Sequence, residues 1–174
     1  MEKIIILLRG VTPTGQNRIP KMAYLREILE TVGLQAVEIY IQSGNIVCET
    51  DLADKDVKNL VHDTILEKIG ADLSVIIKSP EQLMAAQENP FDDGYDSSRV
   101  HLVFTNDTLP SEKVAQLLEQ DFDDELFAVG SECLYLYLPR DAEKKRLNTN
   151  FLEKKMAIKA TMRKLSVTKR LSQL

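Results

Sequence analysis

Residues 3–8, KIIILL, form an almost unbroken apolar run, the pattern of a strand covered on both faces at the centre of a sheet. From Met22 the period changes: Met22, Leu25, Ile28, Leu29 and Val32 recur at helical spacing, and Gly33 is placed to end that helix. Two short β-rich runs follow, Ala36 to Ile41 and Ile46 to Thr50. Ser43-Gly44-Asn45 between them is the signature of a tight hairpin. Residues 54–69 return to helical spacing with Val57, Leu60, Val61, Ile65 and Ile69 on one face, and beyond Gly70 the stretch Leu73 to Lys78 alternates as a strand. The predicted order is β-α-β-β-α-β, the split βαβ or ferredoxin-like unit, in which two helices cover one face of a four-stranded antiparallel sheet.

The pattern then begins again. Ser79-Pro80-Glu81-Gln82 reads as a capping box with proline at the first helical position, and it predicts a connecting helix through Glu88. After the loop NPFDDGYDSS come a strand at Val100 to Thr105, a helix at Val114 to Leu118, and strands at Leu126 to Val129 and Cys133 to Leu138. Helices are predicted at Asn150 to Met156 and Lys164 to Leu174, with the final strand of the repeat short or absent. The expected architecture is therefore α+β, built from two ferredoxin-like halves. Residues 1–78 form the first, 79–98 a connecting helix and loop, and 99–174 a second, variant half that ends in an extra basic helix.

Composition narrows the class. A chain of 174 residues with 44% hydrophobic side chains can bury a core without metal or disulfide support. Cys48 and Cys133 sit in apolar, strand-like stretches without a CxxC partner, as two free thiols in a reducing compartment would. The N-terminal apolar run is too short for a signal-peptide core or a membrane span, so a cytoplasmic protein with no membrane partner is expected. Nothing calls for a cofactor or a metal, and a monomer or weak dimer is expected. The net charge of −5 conceals a division: residues 1–143 carry −14 and residues 144–174 carry +9. A basic end of this kind either meets a nucleic acid or other anion, or lies against the protein's own acidic surface.

Candidate chemistry begins where the first strand ends. In LLRGVTPTGQNRIP, Gly10 and Gly15 have the GxxxxG spacing of a nucleotide phosphate loop. The lysine and hydroxyl residue that should follow are here Gln16 and Asn17, and Pro13 removes a backbone donor, so the phosphate-loop reading fails. What remains is a polar loop with Arg9, Thr12, Thr14, Gln16, Asn17 and Arg18. A guanidinium at a strand end either clamps a carboxylate or phosphate or braces backbone carbonyls. The hairpin adds Gln42, Ser43 and Asn45.

Weaker motifs carry less. His62 and His101 have no partner in a triad-like order and read as structural. Asp121, Asp123, Glu125 and Glu132 follow calcium-loop spacing, but Leu126 stands where the sharp turn needs glycine. Asp92, Asp93 and Asp96 read as a surface loop. Base stacking on a sheet face finds no aromatic in the central strands of the first half, and only Tyr135 and Tyr137 in the second.

LLRG at 7–10, GQNRIPKMAYLREIL at 15–29, YIQSGNIV at 40–47, ENPF at 88–91 and ATMRKLSVTKRL at 160–171 together resemble the domain of unknown function 1697 family. The resemblance implies a tandem ferredoxin-like fold and no established activity. Its pattern is matched at Arg9, Gly10, Gly15, Asn17, Tyr40, Gln42, Ser43, Gly44, Asn45 and Arg163. The chain departs from it at Thr12 and Thr14, where Asn and Gly are usual, and at Lys164-Leu165, where Asn-Trp is common. The functional expectation is a binding module for a nucleic acid or for a phosphorylated or carboxylated small molecule. Its candidate ligands are Arg9, Asn17, Arg18, Gln42, Ser43, Asn45 and Arg163. The alternative is an enzyme of unknown reaction using the Arg9, Asn17 and Ser43 cluster.

Overall fold

The computed structural model describes residues 1–40 and 44–174. Contacts divide the chain into two compact units, Met1–Pro80 with Leu174, and Glu81–Gln173.

The first unit runs β1 (Glu2–Arg9), α1 (Met22–Thr31), β2 (Gln35–Tyr40), β3 (Asn45–Thr50), α2 (Asp54–Ile69) and β4 (Ser74–Lys78). Its sheet has the order β2-β3-β1-β4 and is antiparallel throughout. Ile4, Ile6 and Leu8 of β1 pack with Leu25, Ile28 and Leu29 of α1 and with Val57, Val61 and Ile65 of α2. Ile5 and Leu7, on the opposite face of the strand, are buried as well, which is why the KIIILL run does not alternate. The helix α2 stops at Gly70, whose left-handed φ of 85° lets its N–H reach the carbonyls of Ile65 and Leu66. One irregularity lies in β2, where Ala36 takes a φ of 49° and the register with β3 shifts between Gln35 and Glu38.

A short helix, α3 (Pro80–Ala85), leads into the second unit. It stops before Glu88, the expected end, because Gln87 N–H turns to the Met84 carbonyl and Asn89 stands before Pro90, which disfavours helical backbone. A 3-10 turn at Ser97–Arg99 opens into β5 (Val100–Thr105), followed by α4 (Ser111–Glu119), β6 (Leu126–Val129), β7 (Leu134–Tyr137), α5 (Thr149–Met156), β8 (Ala160–Lys164) and α6 (Leu165–Gln173). The antiparallel sheet is ordered β6-β7-β5-β8, the same arrangement as in the first unit. The final strand expected to be short or missing is therefore present, with five residues paired to β5. Its alternation is hard to read because one of its faces buries Thr161 and Arg163 instead of apolar side chains.

One face of this sheet, through Val103, Leu134, Leu136 and Ala160, packs on Leu117 of α4 and on Leu152 and Met156 of α5. The other carries Leu102, Tyr135, Tyr137 and Arg163, which the register places together. Segments from before β5 lie against it. Tyr135 donates its hydroxyl to the Ala86 carbonyl at 2.8 Å, and the rings of Phe91 and Tyr95 pack on Tyr137. The molecule is thus α+β with two ferredoxin-like halves, the second extended by the C-terminal helix α6.

Candidate functional site

Antiparallel pairing decides which loops meet in the first unit. Leu7 lies opposite Asn45 at the start of β3, Leu8 N–H donates to the Gly44 carbonyl at 3.0 Å, and Arg9 lies opposite Ser74 at the start of β4. The β1 terminus and the Gly44 turn therefore share one end of the sheet. Gly44 is required there: its φ is 80°, and a Cβ would stand 2.8 Å from that of Leu8. Asn45 is fully buried and donates its amide to the Tyr40 carbonyl at 3.0 Å, so it fastens the hairpin across its base. Gln42 and Ser43 lie outside the described residues.

The loop after Arg9 turns at Gly10, with φ 99°, and closes on itself. Thr12 N–H donates to the Asn17 carbonyl at 3.1 Å, Arg18 N–H to the Gly15 carbonyl at 3.3 Å, and the Thr12 hydroxyl to the Thr14 carbonyl at 2.7 Å. Two of the amides that a phosphate cradle would present are spent inside the loop, in agreement with the missing lysine. Arg9 is half-buried and Arg18 exposed. Asn17 anchors the loop from outside, its Oδ1 accepting the backbone N–H of Asp72 at 3.1 Å.

That anchor brings in residues the sequence pattern does not single out. The Asp72 carboxylate is 2.8 Å from His62 Nε2, and Asp63 is 3.1 Å from His62 Nδ1. The hydrogen bonds from Asp72 and then Asp63 hold the His62 imidazolium and raise its pKa above the ordinary histidine value. A connected series, Asp63 to His62 to Asp72 to Asn17, therefore runs from α2 to the loop that follows β1. No periodicity or motif joins positions 17 and 72. His62, read as structural, is half-exposed and ties the two elements.

Arg163 belongs to the second unit. It is 9% exposed on β8, opposite Leu102, and its Nη1 donates to the Thr161 hydroxyl at 2.6 Å and the Met162 carbonyl at 3.0 Å. Burial lowers its pKa to about 10, which leaves it cationic at neutral pH. β8 is an edge strand, and the guanidinium on Met162 together with the Glu153 carboxylate on the Ala160 N–H at 2.9 Å occupies backbone groups along it. His101 is also buried, its Nδ1 3.1 Å from the Arg99 carbonyl; burial, ahead of any other cause, lowers its pKa.

The remaining motifs resolve into structural roles. Tyr135 and Tyr137 are buried, so their sheet face offers no stacking platform. In the acidic run, Glu125 turns inward: one oxygen accepts the N–H groups of Arg146 at 2.7 Å and Leu147 at 2.9 Å. Asp121 accepts the N–H of Asp123, itself at a φ of 61°. Among the described residues no group of three or more His, Cys, Asp or Glu could hold a metal ion. Cys48 and Cys133 are free and buried, and burial pushes the Cys48 thiol up to about 11. No described helix is long and apolar enough to cross a membrane.

No curated protein matches the chain. Among solved structures, a conserved bacterial protein from Streptococcus pneumoniae is 23% identical, with a TM-score of 0.74 over 98% of this chain and 97% of that one. This likeness bears on the fold. A family model matches residues 1–135, which include the Arg9 loop, the hairpin and the ENPF segment and stop short of β8 and α6. The chain belongs to that family, whose description is protein of unknown function, DUF1697.

Proposed function

We propose that the protein is a cytoplasmic binding module for a small phosphorylated or carboxylated anion, held at the end of the first sheet where β1 gives way to its polar loop. The observation that carries this reading is the meeting of two polar turns at one sheet end: Arg9 and the Asn17–Arg18 loop beside the Gly44–Asn45 turn. A guanidinium offers paired N–H donors to a carboxylate or phosphate, and the loop that bears it is anchored at both ends, by strand pairing at Arg9 and by Asp72 at Asn17. Gln42 and Ser43 adjoin the turn in sequence and belong to the same candidate set. Asn45 and Asn17 act here as positioning residues, since the amide of one and the carbonyl of the other are bonded within the protein. Arg163 braces the second unit. Two buried free thiols accord with a reducing compartment.

Thermal unfolding in inorganic phosphate and in citrate tests the site. A ligand at a hundred times its Kd adds about 2.7 kcal/mol to the stability of the folded state. The increment, not the absolute Tm, is compared between wild type and the Arg9→Ala and Arg18→Ala variants, because Arg9 is half-buried and its loss also perturbs the fold. An anion-dependent rise that vanishes in Arg9→Ala and shrinks in Arg18→Ala is the expected result. A wild type indifferent to both anions, or equal increments in all three proteins, removes the site.

A further inference from the structure

The C-terminal 31 residues hold ten basic side chains and one acidic, and nine of the ten are exposed, Arg163 being the exception. Six of them fall on, or directly before, three consecutive elements at one edge of the second sheet. Lys154 and Lys155 lie in the last turn of α5, Lys159 and Lys164 bracket β8, and Lys169 and Arg170 lie on α6. Helices α5 and α6 both pack on β8, an edge strand of five residues, about 16 Å long at the usual rise.

Two carboxylates bonded to backbone at this edge leave it with an excess of positive charge. Glu153, the one acid of the segment, accepts the Ala160 N–H, and Asp107 accepts the Lys159 N–H at 2.8 Å. Among the described residues none of the six cations forms an ion pair with a carboxylate. At the other end of the edge Lys164 lies opposite His101, whose pKa burial lowers; the Arg99 and Lys164 charges add to this, and the hydrogen bond to the Arg99 carbonyl opposes it. The six cationic side chains are therefore left facing solvent.

The chemistry of the patch selects its occupant. A protein interface needs an apolar centre, yet no large apolar side chain is exposed among residues 144–174. A membrane-surface helix needs a free apolar face, yet Leu165 and Leu171 of α6 are buried in the fold. Base stacking needs open aromatics, and the one aromatic of these elements, Phe151, is half-buried, packed edge-on against Phe122 and lies beneath Lys155. What is left is unpaired cationic charge spread along one edge, suited to a regular line of phosphates. We propose that the α5-β8-α6 edge binds the phosphate backbone of nucleic acid without reading sequence, independently of the anion site on the first unit.

Fluorescence anisotropy with a labelled DNA duplex of about 20 base pairs tests this. Six phosphate contacts give a slope of log affinity on log salt near −5, and about a thousandfold loss between 50 and 200 mM salt. Lys154→Ala with Lys155→Ala, and separately Lys169→Ala with Arg170→Ala, each weaken binding about tenfold or more and flatten the slope by about 2. All four side chains are exposed, so the fold is retained and circular dichroism verifies it. A control pair of exposed residues on the first unit, Lys55→Ala with Lys58→Ala, binds as the wild type does. The assignment is overturned if the duplex does not bind at 50 mM salt, if neither tail pair weakens it, if the control pair weakens it equally, or if heparin binds and the duplex does not.

Discussion

Glu125 has the clearest energetic role of any single side chain in the acidic run. It is 3% exposed, and one carboxylate oxygen receives two backbone N–H groups from the segment that leads into α5. The Leu147 donor is buried and the Arg146 donor partly so, which makes the carboxylate costly to remove, because an unsatisfied buried donor carries about 1–3 kcal/mol. Glu125→Ala is expected to lower stability by about 2–4 kcal/mol in urea unfolding, whereas Glu125→Gln keeps an acceptor oxygen and loses less than half of that. Equal losses in the two variants would mean that the charge, not the acceptor, holds the segment. The calcium-loop spacing of this run has another origin: Asp121 and Asp123 shape a turn, and Glu125 two residues on ties that turn to the chain at 146–147.

At the scale of elements, α5 and β8 meet at a strained corner. Ala157 caps the helix in the left-handed region with φ 53°, and Ile158 N–H returns to the Glu153 carbonyl. An L-residue there carries about 1–2 kcal/mol of strain, against which glycine loses about 0.5–1 kcal/mol more backbone entropy on folding. Ala157→Gly should therefore raise stability by about 0.5–1 kcal/mol, seen as a higher Tm. The corner also explains what the pattern conceals. A glycine at 157 would announce a helix end and a new strand, as Gly70 does for α2 and β4; alanine announces neither, and β8 then alternates Thr161 and Arg163 with small or flexible apolar residues. Elements that face one core, such as α2 and β1, are legible from their own periodicity. The meeting of the β1 end with the hairpin follows from the split βαβ topology once the strands are known. The tie between Asn17 and Asp72 does not, since it joins a side chain to a backbone group 55 residues away with no pattern on either side.

On the scale of the whole molecule, the two histidines place opposite pH responses in the two units. His62 faces the carboxylates of Asp72 and Asp63, which raise its pKa above the unfolded value of about 6.5. The stabilisation this gives is fully present below about 6.5 and is lost as pH rises through the higher folded value. His101 behaves in the reverse sense. Burial, outweighing the hydrogen bond to the Arg99 carbonyl, lowers its pKa, so as pH falls below about 6.5 the unfolded chain takes up a proton that the fold resists, and stability declines. Moving from about pH 7.5 to about pH 6 stays above the usual range of carboxylate titration, so the histidines dominate the change. Amide hydrogen exchange, corrected for the intrinsic pH dependence of the rate, should show protection rising around Asp72 and the end of α2 while it falls along β5 and β8. His62→Gln should abolish the first trend alone, and His101→Gln the second alone. The His62 trend extends through Asn17 to the loop of the proposed anion site, so anion-induced stabilisation of the first unit is expected to be larger at pH 6 than at pH 7.5 and to lose that difference in His62→Gln. Parallel changes in both units, or a difference that survives in His62→Gln, would separate the histidine from the loop it is bonded to.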